Sequence, residues 1–183
     1  MSKIKLIVPL FVICTLSSCN ENFTMNYAKG TINKTVIIPN DMIVVRQDIE
    51  EAVEICSDPT FIIYISSSDC IECKLAHLIE FTILIDELEN MGIRIMIILT
   101  PPSGRESNYA SLLQTMDIGM PIYLDIHHTF ERVNSFMPNN DDYHCILTDS
   151  ELTIVYDGYP SGNHFKTKSF IKQLKTKYYE KSF

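Results

Sequence analysis

The chain has 183 residues, no Trp, 46% hydrophobic and 21% charged side chains, and a net charge of −8. That length suits one domain with enough chain to bury a core without staples. The acidic balance argues against nucleic acid as a partner, because phosphate backbones are held by clustered Lys and Arg, and no collagen period, heptad run or internal repeat is visible.

The first residues carry a targeting pattern. Lys3 and Lys5 precede an apolar run from Leu6 to Leu16. A run this short suits the apolar region of a signal peptide and not a spanning helix. Leu16-Ser17-Ser18-Cys19 resembles a bacterial lipobox, in which the cysteine is lipidated and everything before it is removed. The expectation is a signal peptide over 1–18, lipidated Cys19 with a flexible tether over 19–34, and a folded domain over 35–183. The protein would then be held in the cell envelope by its N-terminal lipid, facing the periplasm or the exterior. Acyl chains contribute about 0.8 kcal/mol per buried CH₂, so more than one makes the anchor durable. The alternative is ordinary cleavage and a soluble secreted protein. Removing residues 1–18 leaves 13 basic against 23 acidic side chains, and Cys56, Cys70, Cys73 and Cys145 as thiols beyond Cys19. Exported thiols can oxidise, so their spacing is a redox question.

Thr35–Ile38 and Met42–Val45 read as short β segments around the turn residues Pro39-Asn40-Asp41. Asp48 can cap a short helix running to Cys56, with Glu50 and Glu51 in its first turn. Thr60–Ile65 is a continuous apolar and aromatic run, as in a strand buried on both faces. Ser66-Ser67-Ser68-Asp69 ends it with N-capping residues. Leu75, Leu78, Ile79, Ile83 and Leu88 then recur at helical spacing from Cys70 to about Asn90, and Gly92 stands at the C-cap. Ile93–Leu99 is a second buried strand, so strand, helix and strand form a βαβ unit with parallel neighbours. A loop at Pro101–Gly104, a helix over 107–116, a strand at Pro121–Leu124 and a short helix from His128 to Phe136 follow. Tyr143–Thr148 and Leu152–Tyr156 read as a β-hairpin. A last helix, about Thr167–Tyr179, places Phe170, Ile171, Leu174 and Tyr178 on one face and its lysines on a solvated one. The predicted class is α/β: a sandwich on a central mixed sheet, with a parallel βαβ half and a C-terminal antiparallel hairpin plus helix.

Cys70-Ile71-Glu72-Cys73 opens the helix that follows the first buried strand. Helix N-termini present unpaired N–H groups and partial positive charge, which favour thiolate. Two intervening residues put Cys73 one turn from Cys70, so attack, mixed disulfide and resolution can occur in one place. Cys70 is the expected exposed nucleophile and Cys73 the more buried resolving thiol. A permanent structural disulfide and half of a zinc site remain alternatives at this point; Cys56 and Cys145 do not supply a second zinc-type pair in sequence.

The strand Thr60–Ile65, the segment Ser66-Ser-Ser-Asp-Cys-Ile-Glu-Cys-Lys74 and the helix after it resemble the thioredoxin-like fold. With the lipobox, Met120–Asp125, Phe130, Asn134, His144–Asp149, Leu152–Tyr156 and Gly158–Pro160, the chain is similar to membrane-anchored proteins of the TlpA/ResA kind, particularly short lipoproteins of Bacteroidetes. The resemblance covers roughly residues 35–180. It implies dithiol–disulfide exchange with exported cysteine-containing proteins and no bound cofactor, and the protein is expected to be a monomer. Several positions depart from the family pattern. Tyr143 or a neighbour stands where a cis-Pro usually faces the cysteine pair, Tyr64 stands where a buried acid is common, and Ser68-Asp69 replaces a Trp. Glu72 should oppose the helix effect and raise the thiolate pKa.

His77, one turn beyond Cys73, reads as a partly exposed helix residue. Cys145 and Cys56 read as buried cysteines behaving like small hydrophobes. Tyr64, Tyr109 and Tyr123 read as core or rim aromatics. The expected function is membrane-anchored thiol–disulfide oxidoreductase. The rivals are a thioredoxin-fold adaptor with weak catalysis, and a copper or zinc metallochaperone in which His144 joins Cys70 and Cys73.

Overall fold

The structure is a computed structural model that describes residues 30–46, 49–52, 58–68, 70–116, 118–137, 144–158 and 164–178. Its strands are β1 (Ile43–Arg46), β2 (Ile49–Ala52), β3 (Thr60–Ile65), β4 (Arg94–Leu99), β5 (Ile122–Leu124), β6 (His144–Thr148) and β7 (Ile154–Asp157). Its helices are α1 (Ile71–His77), α2 (Thr82–Asn90), α3 (Glu106–Thr115), α4 (Thr129–Val133) and α5 (His164–Tyr178). The strands form one sheet in the order β2-β1-β5-β4-β3-β6-β7. β3, β4 and β5 run parallel, and every other pair is antiparallel.

β3 sits inside this sheet between β4 and β6, and all six of its residues are buried. Side chains alternate along a strand, so β3 feeds two cores. Phe61, Ile63 and Ile65 belong to one, together with Leu75 and Leu78, Leu84 and Leu88 of α2, Tyr109 and Leu113 of α3, and Phe170 and Leu174 of α5. Ile62 and Tyr64 belong to the other, with Val36, Ile38, Met42 and Phe130 of α4. Phe170 packs its ring 4.6 Å from Tyr156 and 6.1 Å from Phe61, which seats α5 on the sheet. Burying one such ring is worth about 1.5–3 kcal/mol.

The predicted βαβ unit, its parallel strands and the antiparallel β6–β7 hairpin are all present. Three elements differ from the sequence reading. Instead of a helix from Asp48, residues 49–52 form β2, paired to β1 in a hairpin whose register sets Arg46 opposite Ile49. A lone helix of nine residues is marginal in water, whereas pairing with β1 gives the backbone groups of 49–52 partners on a sheet edge. Cys56 lies outside the described residues.

The expected single helix from Cys70 to Asn90 is divided. α1 passes through a 3-10 turn, Leu78–Phe81, into α2. The tighter turn advances the side-chain phase, so Leu84 and Ile85 are buried and Ile83 is 56% exposed, off the face assigned to it. Gly92 ends α2 with φ +70°, and the N–H groups of Gly92 and Ile93 return to Glu89 and Leu88. Those two bonds satisfy carbonyls of the last turn, and the positive φ suits glycine.

Residues 35–38 do not form a strand; only Thr35 bridges to Thr153. Thr31 is buried, Asn33 N–H donates to the Ile154 carbonyl and Val36 N–H to the Leu152 carbonyl, so the chain is seated on the hairpin from within the predicted tether. Asn134, wholly buried after α4, holds this segment: its side chain accepts from Ile37 N–H and donates to the Ile37 and Phe130 carbonyls, each at 2.8 Å. No helix among the described residues is long and apolar enough to cross a membrane. Asn134→Ala removes all three of these bonds, and urea unfolding should show a loss of about 1–3 kcal/mol; a loss under about 0.5 kcal/mol would remove this clamp from the account.

Candidate functional site

β3 delivers the chain to the site. After Ile65, buried Ser66 accepts the Ser68 N–H at 3.4 Å and pairs with the Ser68 hydroxyl at 3.1 Å, which turns the backbone out of the sheet. Cys70 then stands at the N-cap of α1 with φ −74° and ψ 87°, and its carbonyl accepts the Lys74 N–H at 2.9 Å. Cys73 follows in the first turn. The two cysteines are joined by a disulfide, with Cα atoms 5.3 Å apart.

Cys70 and Cys73 both belong to the exposed surface. The inward positions of α1 are Ile71 and Leu75, four residues apart and both buried. Cys73 lies between them in sequence and therefore projects on the outer side with Cys70. Exposure does not rank the two sulfurs; position does. An N-cap side chain meets the N–H groups of the second and third helical residues, which here belong to Glu72 and Cys73. A Cys70 thiolate freed by reduction therefore has donors in front of it, and Cys73 has none of equal standing.

Glu72 lies inside the motif. Its Oε1 accepts the Tyr109 hydroxyl at 2.8 Å, a bond from α3 to the first turn of α1. Its own backbone N–H and then the Tyr109 hydroxyl hold the carboxyl below the ordinary range, with a smaller contribution from Arg105. Tyr109 is buried, and burial first, then the bond to Glu72, pushes its phenol up, so it remains a donor. The sequence reading placed Tyr109 as a core or rim aromatic; the spacing of 37 residues gives no hint of this bond.

Tyr64, six residues before Cys70, is fully packed. Its hydroxyl lies 3.1 Å from Thr100 Oγ1, which donates to Asp125 Oδ2 at 3.3 Å. Because the Thr100 proton goes to Asp125, Tyr64 donates to Thr100. Asp125 in turn accepts the N–H groups of Thr129 and Phe130 at 2.9 Å, capping α4. Burial pushes the Tyr64 phenol well above its ordinary value. Tyr64 is a fixed core donor and does not take up protons near neutral pH. Tyr143 lies outside the described residues.

Cys145, opposite Ile63 in β6, is free and fully buried, and burial pushes its thiol far up. It stays a thiol in the core shared with Ile71 and Leu75 of α1, buried as the sequence suggested. His144 is buried with its ring 5.8 Å from that of Tyr64, and His77 is exposed on α1. Among the described residues, no group of three His, Cys, Asp or Glu side chains converges on a point that could hold a metal.

Neither a family model nor a curated protein matches the sequence. The fold, by contrast, matches solved structures. A protein of Chlorobium tepidum assigned as a thiol:disulfide interchange protein DsbE shares 9% identity, over 78% of this chain and 96% of its own, with a TM-score of 0.52. The exposed lipoprotein thioredoxin Etrx1 of Streptococcus pneumoniae shares 13% identity, over 72% and 98%, with a TM-score of 0.51. The chain has the thioredoxin-like fold. The order of a buried parallel strand, a C-x-x-C turn, a helix and a second parallel strand therefore stands in that fold on this chain's own coordinates, and the resemblance read from Ser66–Lys74 holds at that level.

Asp157, at the end of β7, was not singled out from the sequence, where it merely closes an apolar run. It is buried beside the cysteine strand, bonded to Thr31, and its Oδ2 has no hydrogen-bond partner among the described residues. Burial raises its carboxyl above the ordinary range. A folded-state value above the unfolded one means that its contribution to stability is complete below about pH 4 and is lost as pH rises through the folded value. Asp157→Asn should therefore raise stability at pH 7 by about 1–2 kcal/mol and give no gain at pH 3. Urea titrations at the two pH values check this; an equal gain at both would show that charge is not the cause.

Proposed function

We propose that this protein is a thiol–disulfide oxidoreductase that exchanges disulfides with exported cysteine-containing proteins through Cys70 and Cys73. The observation that carries the reading is an exposed disulfide at the junction of a fully buried strand and a helix N-terminus. In the reducing direction, the Cys70 thiolate attacks a disulfide sulfur of the target. A bond forms between Cys70 and the target, and the other target sulfur leaves as thiolate. The Cys73 thiolate then attacks Cys70 Sγ, closing the Cys70–Cys73 disulfide and releasing the second target thiol. The target gains two electrons and two protons, and the pair is oxidised by two electrons. The same steps run backwards oxidise a target dithiol. A dithiol or disulfide partner returns the pair to its starting state.

The lipid anchor belongs to this reading. Lys3, Lys5, the apolar run to Leu16 and Leu16-Ser17-Ser18-Cys19 support acylation of Cys19 and a site of action at a membrane surface outside the cytoplasm. Its company is consistent, since one of the similar folds is itself an exposed lipoprotein thioredoxin.

A second reading, a thioredoxin-fold adaptor, is favoured by Tyr64. Six residues before Cys70, where the resemblance implies a proton-accepting acid, this chain has a hydrogen-bonded phenol committed as a donor. Turnover separates the two. Reduction of a small protein disulfide by the full chain should fall to the uncatalysed rate in Cys70→Ser, while Cys73→Ser should accumulate a mixed disulfide through Cys70. A rate unchanged by Cys70→Ser would remove the exchange mechanism and leave the adaptor.

A further inference from the structure

The Tyr109–Glu72 bond does more than tie two helices together. Glu72 is an exposed side chain, which ordinarily samples many rotamers and whose charge is then screened by water. Here the hydroxyl of Tyr109, whose ring is anchored in the core between α3 and the sheet, fixes it at 2.8 Å. We infer that Tyr109 is a positioning residue that holds the Glu72 carboxylate against the C-x-x-C turn and thereby raises the thiolate pKa of Cys70 and lowers the reduction potential of the pair.

The argument is electrostatic and geometric. Glu72 lies between the two cysteines in sequence and, like them, is exposed in the first turn of α1. A fixed negative charge at that point disfavours a second one on sulfur. Destabilising the thiolate of the reduced form favours the disulfide, which is a lower potential. Other charged groups near the turn act on it too. Lys74 and His77 lie on α1, and Arg105, which caps α3, attracts Glu72 toward α3. None of them is a neutral donor bound to Glu72 from a buried ring, and that is the special feature of Tyr109.

This inference rests on the exchange reading for its biological meaning, and its test does not. Full-length protein with Cys145 intact is reduced, and the pH dependence of iodoacetamide alkylation at Cys70 is measured in wild type, Glu72→Gln, Tyr109→Phe and the double variant. Glu72→Gln should raise the thiolate fraction at pH 7 by about two- to fivefold. Tyr109→Phe, which keeps the ring and frees the carboxylate to enter water, should shift it the same way by less. In the Glu72→Gln background, Tyr109→Phe should add nothing. An equal shift from Tyr109→Phe in both backgrounds, or none with Glu72 present, would overturn the inference; a purely structural bond would change the melting temperature and leave the alkylation profile in place. Should Tyr109→Phe not fold, NMR titration of the wild-type Glu72 carboxyl decides: a value in the ordinary carboxylate range would contradict a carboxylate held by the Tyr109 hydroxyl. If exchange itself is the wrong reading, wild-type turnover is absent while this four-variant cycle still reports the coupling.

Discussion

The burial of β3 on both faces is the constraint on which the rest of the molecule depends. None of the six residues from Thr60 to Ile65 is exposed, so each face needs a cover: α1, α2, α3 and α5 on one side, residues 36–42 and α4 on the other. A strand so enclosed can end only where the chain leaves the sheet, and it leaves through the Ser66–Ser68 turn into Cys70. The position of the disulfide is a consequence of packing. Ile71 and Leu75 must face inward to cover the sheet, and that requirement turns Cys70 and Cys73 outward, where another protein can reach them.

Around that disulfide, the polar groups divide into two sets with different tasks. Tyr64, Thr100 and Asp125 form a chain of hydrogen bonds that ends at the N-terminus of α4 and stays inside the structure. Glu72 and Tyr109 reach from the core to the surface and meet at the motif itself. The first set fixes the shape of the second core; the second sets the electrical surroundings of the sulfurs. Asp157 belongs to neither, and the cost of its burial is carried by the packing around it.

Much of the architecture was legible in the sequence because it rests on short-range pattern. Thr60–Ile65 and Ile93–Leu99 are too apolar to be anything but buried strands at that length, and the helical spacing between them implies a parallel crossover. The C-x-x-C turn followed from the same pattern. What was misread depends on pairing or phase. Residues 49–52 have helix-compatible side chains, and only the hydrogen bonds offered by β1 make them a strand. Ile83 fits the apolar helical repeat until a 3-10 turn shifts the register beneath it. Tyr109 could not have been linked to Glu72 from spacing, since their contact exists only because α3 returns to the sheet beside α1.

The most direct test of this account is the equilibrium between the Cys70–Cys73 disulfide and a glutathione or dithiothreitol buffer of known poise. A pair that exchanges electrons with other proteins should titrate between about −120 and −270 mV. A potential below about −300 mV, with no dependence on Glu72, would mark an inert structural bond and contradict the assignment of this surface as a reactive one.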